Sequence, residues 1–270
     1  MTKLAFSLPP GERFDLTQID AGFTAGYEKK KRAKQALADN LDELHALQEK
    51  LYADGSKALL IVLQAMDTAG KDGTIKHVMG AFNPQGVQVA PFKVPSEEER
   101  NHDYLWRVHK RVPQNGLIGI FNRSHYEEVL VVRVKQLVPE EVWRKRYEHI
   151  NSFEKLLADS GVHIVKLFLH ISPDEQAERL RNRQQIPDKR WKFSPGDLED
   201  RKLWHEYQRA YEDALTRCNT AHAPWWVVPA NRKWFRNLAV SDILIRAMKD
   251  MDCRYPDPAE QVESYSIPEV

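Results

Sequence analysis

The chain contains little cysteine, and its charges almost cancel. Of its 270 residues only two are cysteines, Cys218 and Cys253, and their spacing matches neither a disulfide framework nor a zinc site. Two isolated thiols are typical of a reducing compartment. The 40 basic and 39 acidic residues leave a net charge of +1, which argues against a protein that binds nucleic acid or a membrane over its whole surface. A local basic patch remains compatible with this balance.

Long apolar runs are also missing. The first residues, MTKLAFSLPPGERF, contain no secretory apolar segment. The longest apolar stretches, near Leu59 and near Val129, are far too short to cross a bilayer. We therefore expect a soluble cytoplasmic protein with neither a membrane nor nucleic acid among its partners. The sequence shows no serine nucleophile elbow, metal-ligand cluster or dinucleotide fingerprint either.

Short apolar segments alternate with helix-like segments along most of the chain. ALLIVLQ, residues 58–64, is a continuous apolar run of the kind found in a parallel strand buried on both faces. The other predicted strands are 87–92, 117–121, 162–171 and 225–229, and the predicted helices are about Thr74–Phe82, Glu97–Lys110, Pro139–Ser160, Pro173–Arg183, Gly196–Arg217 and Asn231–Met251. This alternation predicts an α/β layer fold with a mostly parallel sheet.

The ends of the chain and one internal segment need separate predictions. A long helix or a helical pair is predicted from Gly22 to Asp54. EEVLVVRV, residues 127–134, follows a predicted strand directly, and we favour a helix there because consecutive parallel strands need a crossover. The predicted organisation is an N-terminal arm and helical extension (1–55), a core (56–252) and a C-terminal tail (253–270).

The loop after the first predicted strand, AMDTAGKDGT, suggests a phosphate-binding loop although it departs from the usual G-x-x-x-x-G-K-[ST] pattern. Ala65 replaces the first glycine, and Asp72 replaces the hydroxyl residue. Backbone N–H groups at such a strand-to-helix turn attract anions, and Lys71 adds a mobile positive charge. The phosphate-binding candidates are Ala69, Gly70, Lys71, Asp72, Gly73, Thr74 and Arg123. The alternative is a tight turn capped by Asp67 or Asp72.

Asp67 is the unusual member of this loop. A carboxylate inside a phosphate cradle repels the ligand unless a cation lies between them, so we interpret Asp67 as a ligand of Mg²⁺, with Mn²⁺ as a second candidate ion. The strand at 117–121 runs into NRSHYEE, where Asn122 offers a carbonyl oxygen as a further metal ligand and Arg123 can clamp a phosphate. The alternative for this segment is a helix start capped by Ser124.

A third segment, residues 178–207, is rich in cations. Pro187 interrupts its first helix, and Ser194-Pro195-Gly196-Asp197 starts a second one. A mobile cationic segment after the fourth strand is typical of a lid that neutralises charge and excludes water during phosphoryl transfer. The alternative is an ordinary solvated hairpin on the surface.

AMDTAGKDG, FNRSHYE and KRWKFSPGDLEDRKLW, in this order and spacing, resemble the polyphosphate kinase 2 family over most of the chain. The resemblance implies a P-loop kinase-like three-layer sandwich, with a five-stranded parallel sheet, helices on both faces and a helical lid. It implies Mg²⁺-dependent transfer of a phosphoryl group from inorganic polyphosphate to AMP or ADP, and it favours a homo-oligomer, either a dimer or a tetramer. The FNRSHYEE form is similar to the branch that accepts both nucleoside mono- and diphosphates.

The family's functional residues can be placed on this sequence one by one. Asp67, Gly70, Lys71 and Gly73 match the phosphate loop, Asn122 and Arg123 match the Walker B position and its neighbour, and Arg183 matches a lid arginine. We assign catalytic roles to Asp67, Lys71, Arg123 and Arg183. Asn122 stands where an aspartate is common in the family, so the identity of one metal ligand is left open. The candidates for a polyphosphate track are Lys76, Arg133, Lys135, Lys189, Arg190 and Lys192.

Two other functions are compatible with the same motifs. One is an ATP-dependent nucleotide or small-molecule kinase on the same fold. The other is a non-catalytic phosphate-loop module that senses a nucleotide, which the neutral Asn122 would suit.

Overall fold

A five-stranded parallel sheet forms the centre of the computed structural model, which describes residues 4–27, 30–258, 262–268 and 270. The strands are β1 (Ala58–Gln64), β2 (Val87–Pro91), β3 (Ile118–Asn122), β4 (Val162–His170) and β5 (Trp225–Pro229). Their order across the sheet is β2-β3-β1-β4-β5. β1 lies in the middle and is buried along its whole length, as its unbroken apolar sequence predicts.

Helices connect the strands and cover the sheet. They are α1 (Lys30–Asp54), α2 (Lys71–His77), α3 (Glu97–Arg100), α4 (Trp106–His109), α5 (Val131–Val134), α6 (Glu140–Asp159), α7 (Pro173–Gln185), α8 (Pro195–Lys202), α9 (Trp204–Arg217) and α10 (Lys233–Asp250). Short 3₁₀ turns lie at Leu16–Gln18, Met79–Ala81, Pro84–Gly86, His125–Glu128, Pro187–Lys192 and Val262–Ser264. No helix in the described part of the chain has the length and apolar character needed to cross a membrane.

Two apolar cores lie on opposite faces of the sheet, because successive residues of a strand point to opposite sides. Leu59 and Ile61 of β1 pack with apolar residues of α1 and α10. Leu60 and Val62 pack with apolar residues of α6 and α9. Each fully buried side chain of this size contributes about 1.5–3 kcal/mol to folding. The predicted three-layer α/β sandwich with a five-stranded parallel sheet is confirmed.

Several predicted helices are shorter than expected or broken. The helix expected from Gly22 begins at Lys30 in the described residues, 22–27 are turns and irregular chain, and residues 28 and 29 lie outside the described residues. The helix expected over Glu97–Lys110 is wrong: the structure has α3 and α4 with turns between them. Oδ1 of Asp103 accepts the N–H groups of Leu105 and Trp106, so a new helix starts there.

The other differences lie near the cleft described below. α2 begins at Lys71, three residues before the predicted start, so Gly73 lies inside the helix. The helix expected over Gly196–Arg217 starts at Pro195 and is divided at Leu203, whose backbone leaves the helical region (φ −95°, ψ 25°). Residues 127–134 contain the end of a 3₁₀ turn and α5, so the predicted helical state is confirmed over Val131–Val134.

Candidate active site

The loop between β1 and α2 lies at the carboxyl edge of the sheet, where ligands bind in open α/β folds. Thr68 and Gly70 have left-handed backbones, with φ angles of 67° and 114°. Lys71 folds back over the loop, and its Nζ donates to the carbonyl oxygen of Ala65 at 2.8 Å. The Oγ1 of Thr74, which is fully buried, donates to the carbonyl oxygen of Gly70 at 3.1 Å. The loop is therefore closed by its own side chains before any ligand binds.

The loop after β3 meets this first loop. Nη2 of Arg123 donates to Oδ1 of Asp67 at 2.8 Å, and the backbone N–H of Arg123 donates to the carbonyl oxygen of Leu63 at 3.1 Å. Arg123 itself has a φ of 62°, which lets the chain turn sharply at the end of β3. Nδ2 of Asn122 donates to Oδ1 of Asp72 at 2.9 Å. Two residues at the end of β3 thus contact two acids of the predicted phosphate loop.

Burial and neighbouring charges shift the titration of this group. Burial lowers the pKa of Lys71, although Asp67 opposes the shift. Burial also disfavours the charge of Arg123, but Glu127 and Asp67 outweigh it and raise the pKa of Arg123. Burial raises the pKa of Glu127, and Arg123 and Lys71 oppose that change. Lys71, Arg123 and Glu127 therefore lie close enough for their charges to act on one another's pKa values.

A cleft of about 1370 Å³ opens in front of these loops. Among the residues that the structure describes, twelve lysines and arginines line it, against three aspartates, Asp67, Asp72 and Asp188. A balanced chain therefore concentrates positive charge in one concave surface, which attracts polyanions. Of the predicted track residues, Lys76, Lys189 and Lys192 line this cleft.

The structure places the other three track candidates elsewhere. Nε of Arg190 donates to the carbonyl oxygen of Gln184, within its own segment. Arg133 forms an ion pair of 2.6 Å with Asp213 on α9, and its guanidinium lies over the ring of Trp143. Lys135 forms an ion pair of 2.7 Å with Asp200 on α8. The last two cations thus join the region around α5 to the segment 195–217.

Arg183 lies on α7, where the cationic segment begins. Its Nη1 donates to Oδ2 of Asp197 at 2.8 Å and to the carbonyl oxygen of Lys192 at 3.1 Å. Burial and the nearby Asp67 raise the pKa of Asp197, while Arg183 lowers it. Arg183 lines the cleft, but its charge is partly satisfied by the segment itself. A phosphate that takes over the hydrogen bond of this Nη1 group replaces Asp197.

Two buried arginines support the phosphate loop from behind, and the sequence did not distinguish them. Nη1 of Arg179 donates to the carbonyl oxygens of Thr68 and Ala69, and its Nη2 donates to those of Ala230 and Asn231. Arg236 on α10 also donates to the carbonyl oxygen of Ala69, at 3.3 Å. Arg179 is one of many cations in a charged segment, and only the structure separates it from the exposed ones.

A fully buried polar network lies behind the loop that follows β3. Nζ of Lys166 donates to Oε2 of Glu154 at 2.7 Å, to the hydroxyl of Tyr126 at 2.8 Å and to the carbonyl oxygen of Cys218 at 2.6 Å. The other carboxylate oxygen of Glu154 contacts Nε2 of His125 at 3.1 Å. Because His125 is buried against Glu154, the structure places it in the core and not at the cleft surface.

The residues of the cleft fit a divalent cation whose coordination shell is completed mainly by substrate phosphates and waters. The described residues contain no group of three or more His, Cys, Asp or Glu side chains arranged to bind a metal. Mg²⁺ in phosphoryl-transfer sites needs only one or two protein carboxylates, because substrate phosphates and waters complete its shell. Asp67, which lines the cleft and is partly exposed, meets that requirement.

Comparisons with known proteins identify the family of the chain. A family model described as Polyphosphate kinase 2 matches residues 27–256. The chain is 53% identical to the AMP/ADP-polyphosphate phosphotransferase of Meiothermus ruber, over 97% of this chain and 98% of that protein. It is 42% identical to the ADP-polyphosphate phosphotransferase of Rhodopseudomonas palustris, over 96% and 94%. A crystal structure of Polyphosphate Kinase 2 from Arthrobacter aurescens superposes with a TM-score of 0.92 at 44% identity, covering 96% of this chain and 92% of that one.

Proposed function

Because the chain belongs to the polyphosphate kinase 2 family, we propose that it transfers a phosphoryl group from inorganic polyphosphate to AMP and to ADP. One observation carries the proposal: the loop with Lys71 and the neighbouring Arg123 lie in a cleft that is lined by twelve of the described cationic residues. A nucleotide alone does not need so much positive charge, whereas a long polyanion does. The relative named for both acceptors is similar to this chain over nearly its whole length, which supports AMP as well as ADP.

The acceptor brings its own nucleophile. A terminal phosphate oxygen of AMP or ADP is already an anion at neutral pH, so little deprotonation is needed. This oxygen forms a bond to the terminal phosphorus of polyphosphate, while the bond to the next phosphate breaks and the shortened chain leaves with the electron pair. Catalysis then depends on alignment and on neutralising the charge of the transferred group.

The side chains of the two loops suit that task. Lys71 exchanges its contact with the carbonyl oxygen of Ala65 for phosphate oxygens. Arg123 leaves Asp67 and clamps the transferred group, and Arg183 leaves Asp197 to approach it from the other side. Lys76, Lys189 and Lys192 hold the rest of the chain.

Mg²⁺ is the cation that we assign to Asp67, with the carbonyl oxygen of Asn122 as a further ligand. When bound, such an ion would supply positive charge that offsets the negative charge developing in transfer. The proposal also includes a cytoplasmic location and assembly into a homo-oligomer.

The test is ATP formation from ADP with Mg²⁺ and polyphosphate, with AMP as a parallel acceptor. We expect ADP from AMP and ATP from ADP, and no product without polyphosphate. A folded Lys71→Ala protein should give no product from either acceptor. Product that requires ATP as the donor would instead support an ATP-dependent kinase, and tight nucleotide binding without turnover would support a sensing module.

A further inference from the structure

Arg236 lies directly beneath the phosphate loop. It belongs to the first turn of α10, and only 2% of its surface is exposed. Its Nη1 donates to the carbonyl oxygen of Ala69, while Nε and Nη2 donate to Oδ1 of Asn237 at 3.1 and 2.7 Å. The guanidinium is therefore hydrogen-bonded to neutral oxygens on both sides.

The fit between Arg236 and the loop is close. A Cβ atom built on Gly70 would lie 1.8 Å from Nη1 of Arg236, and one built on Gly73 would lie 3.2 Å from Nη2. The two glycines leave just enough room for the guanidinium to reach the underside of the loop. The positive charge is thus as near to the loop backbone as packing allows.

In the described part of the chain, this charge has no acidic partner. Among the residues that the structure describes, the hydrogen-bond partners of Arg236 are uncharged, and the ionised group that acts on it is another cation, Arg179. Arg179, by contrast, has an ion pair of 2.7 Å with Glu175. Burial, together with Arg179, lowers the pKa of Arg236 to about 10, so the guanidinium is still charged at neutral pH. A buried charge without a counterion destabilises a fold.

The start of α10 points to the same conclusion. Helix N-termini favour acidic side chains because the helix dipole is positive there. The first turn of α10 contains no acidic residue, and it contributes Lys233 and Arg236 to the cleft lining. The pKa of Lys233 is also lowered, by burial and then by Arg179. Positive charges therefore lie together at the start of α10, although they repel one another.

We propose that Arg236 is a positioning residue that keeps an uncompensated positive charge beneath the phosphate loop, and that the bound phosphate chain is its counterion. This inference rests on the proposed function. Arg236 acts through the loop: it holds the carbonyl oxygen of Ala69 and raises the affinity of the loop N–H groups and Lys71 for phosphate. The free protein is destabilised by this charge, and the ligand removes the destabilisation.

Thermal unfolding with and without inorganic tripolyphosphate tests the proposal. Arg236→Met keeps a long side chain but removes the charge, so the variant should unfold at the wild-type temperature or higher without ligand. It should lose at least half of the wild-type stabilisation by tripolyphosphate. Its KM for polyphosphate should rise roughly tenfold, the effect of about one nearby charge, with a smaller change in kcat. Arg236→Lys should restore most of the ligand-dependent stabilisation.

Arg246→Met is the matched control, because Arg246 lies on the same helix and forms its ion pair with Asp242. It should keep the full stabilisation by tripolyphosphate and the wild-type KM. A purely structural role of Arg236 predicts a lower unfolding temperature for Arg236→Met, or failure to fold, together with an unchanged ligand effect in any folded variant. Either result would overturn the proposal. If tripolyphosphate does not stabilise the wild type, both the proposed function and this inference fail. If it stabilises the wild type and Arg236→Met equally, only this inference fails.

Discussion

Oδ1 of Asp67 accepts a hydrogen bond of 2.8 Å from Nη2 of Arg123, so the free site holds its acid and one of its cations as a pair. The two residues are 56 positions apart in sequence, and they meet because β1 and β3 are neighbours in the sheet. A phosphate that takes over this hydrogen bond from Arg123 replaces Asp67, and a cation that binds Oδ1 of Asp67 replaces Arg123. Substrate and metal should therefore bind more tightly together than either does alone.

Replacing Asp67 with asparagine should remove the proposed metal ligand and leave the loop intact. We expect kcat to fall by about 10²–10³, as for other groups that stabilise charge in a transition state. The Mg²⁺ concentration needed for half-maximal rate should also increase. Initial rates of ATP formation over a Mg²⁺ titration measure both effects.

Asp188→Asn is the control for this prediction, because Asp188 lines the same cleft but lies in the 3₁₀ turn of the cationic segment. It should change the Mg²⁺ dependence little. An Asp67→Asn enzyme with the wild-type Mg²⁺ dependence would show that Asp67 does not hold the metal.

The charge of Lys71 should produce an alkaline limb in the pH profile. Burial lowers its pKa below the ordinary value of 10.5, so the free enzyme loses this charge as pH rises through the lowered pKa. As pH rises, kcat/KM for polyphosphate should begin to fall at a pH below 10.5. The fall of kcat should begin at a higher pH, because bound phosphate favours the charged lysine. Lys71→Arg should move the limb of kcat/KM to higher pH in whatever activity remains. An unchanged limb in this variant would assign it to another group.

Gly70→Ala should destabilise the phosphate loop more than the addition of a single methyl group suggests. Gly70 has a φ of 114°, and an added Cβ would lie 1.8 Å from the buried guanidinium of Arg236. The backbone alone costs about 1–2 kcal/mol in an L-residue. The steric conflict adds to this, and turnover should be lost because the loop has to move.

Gly11→Ala separates the two causes, since Gly11 also has a positive φ, 88°, but nothing lies within 4 Å of its added Cβ. Urea unfolding and polyphosphate turnover should show a modest loss of stability with normal activity for this variant. Equal losses of stability in the two variants would argue against the contact with Arg236.

The buried pair of Glu154 and Lys166 should behave as a unit. Removing one partner leaves the other charge buried, so Lys166→Met alone should lower the free energy of unfolding by about 3–5 kcal/mol. The double variant Lys166→Met/Glu154→Leu should recover a large part of this loss, because neither charge remains. Urea unfolding of the wild type, the two single variants and the double variant forms a complete double-mutant cycle. Additive losses would show that the two side chains are not coupled.

The same pair gives a pH dependence of stability. Burial acts to raise the pKa of Glu154, but Lys166 and His125 outweigh it and lower the pKa below 4.5. The native state therefore binds fewer protons here than the unfolded chain. This contribution to stability is present above pH 4.5 and is lost as pH falls through the lowered pKa. The variant without both charges should lose less stability than the wild type over this acidic range.

Local patterns in the sequence were enough to find the strands and the loops that follow them. A strand buried on both faces needs an unbroken apolar run, and 58–64 has one. Polar residues directly after such runs lie at one edge of a parallel sheet, so Asp67, Lys71 and Arg123 could be grouped before the structure was known. Their catalytic roles remain predictions.

The supporting contacts left no such pattern. Arg179 and Arg236 are 110 and 167 positions away from Ala69, whose carbonyl oxygen accepts from both. Arg133 and Lys135 looked like surface cations available to a polyanion, but they have partners on α9 and α8. Whether a charge is free or paired depends on tertiary packing, which residue type does not encode.

The ion pairs of Arg133 and Lys135 also bear on the mechanics of the cationic segment. Asp213 and Asp200 attach residues 195–217 to the region around α5, whereas Trp191, in the 3₁₀ turn before α8, is 78% exposed. The turn lies between α7 and α8, and Arg201 on α8 contacts Pro173 and Gln176 of α7, so the segment is held at both ends and should move most at the exposed turn. Arg133 and Lys135 therefore hold residues 195–217 in place. A fluorophore that replaces Trp191 should travel furthest when polyphosphate binds, and one placed near Asp213 should hardly move.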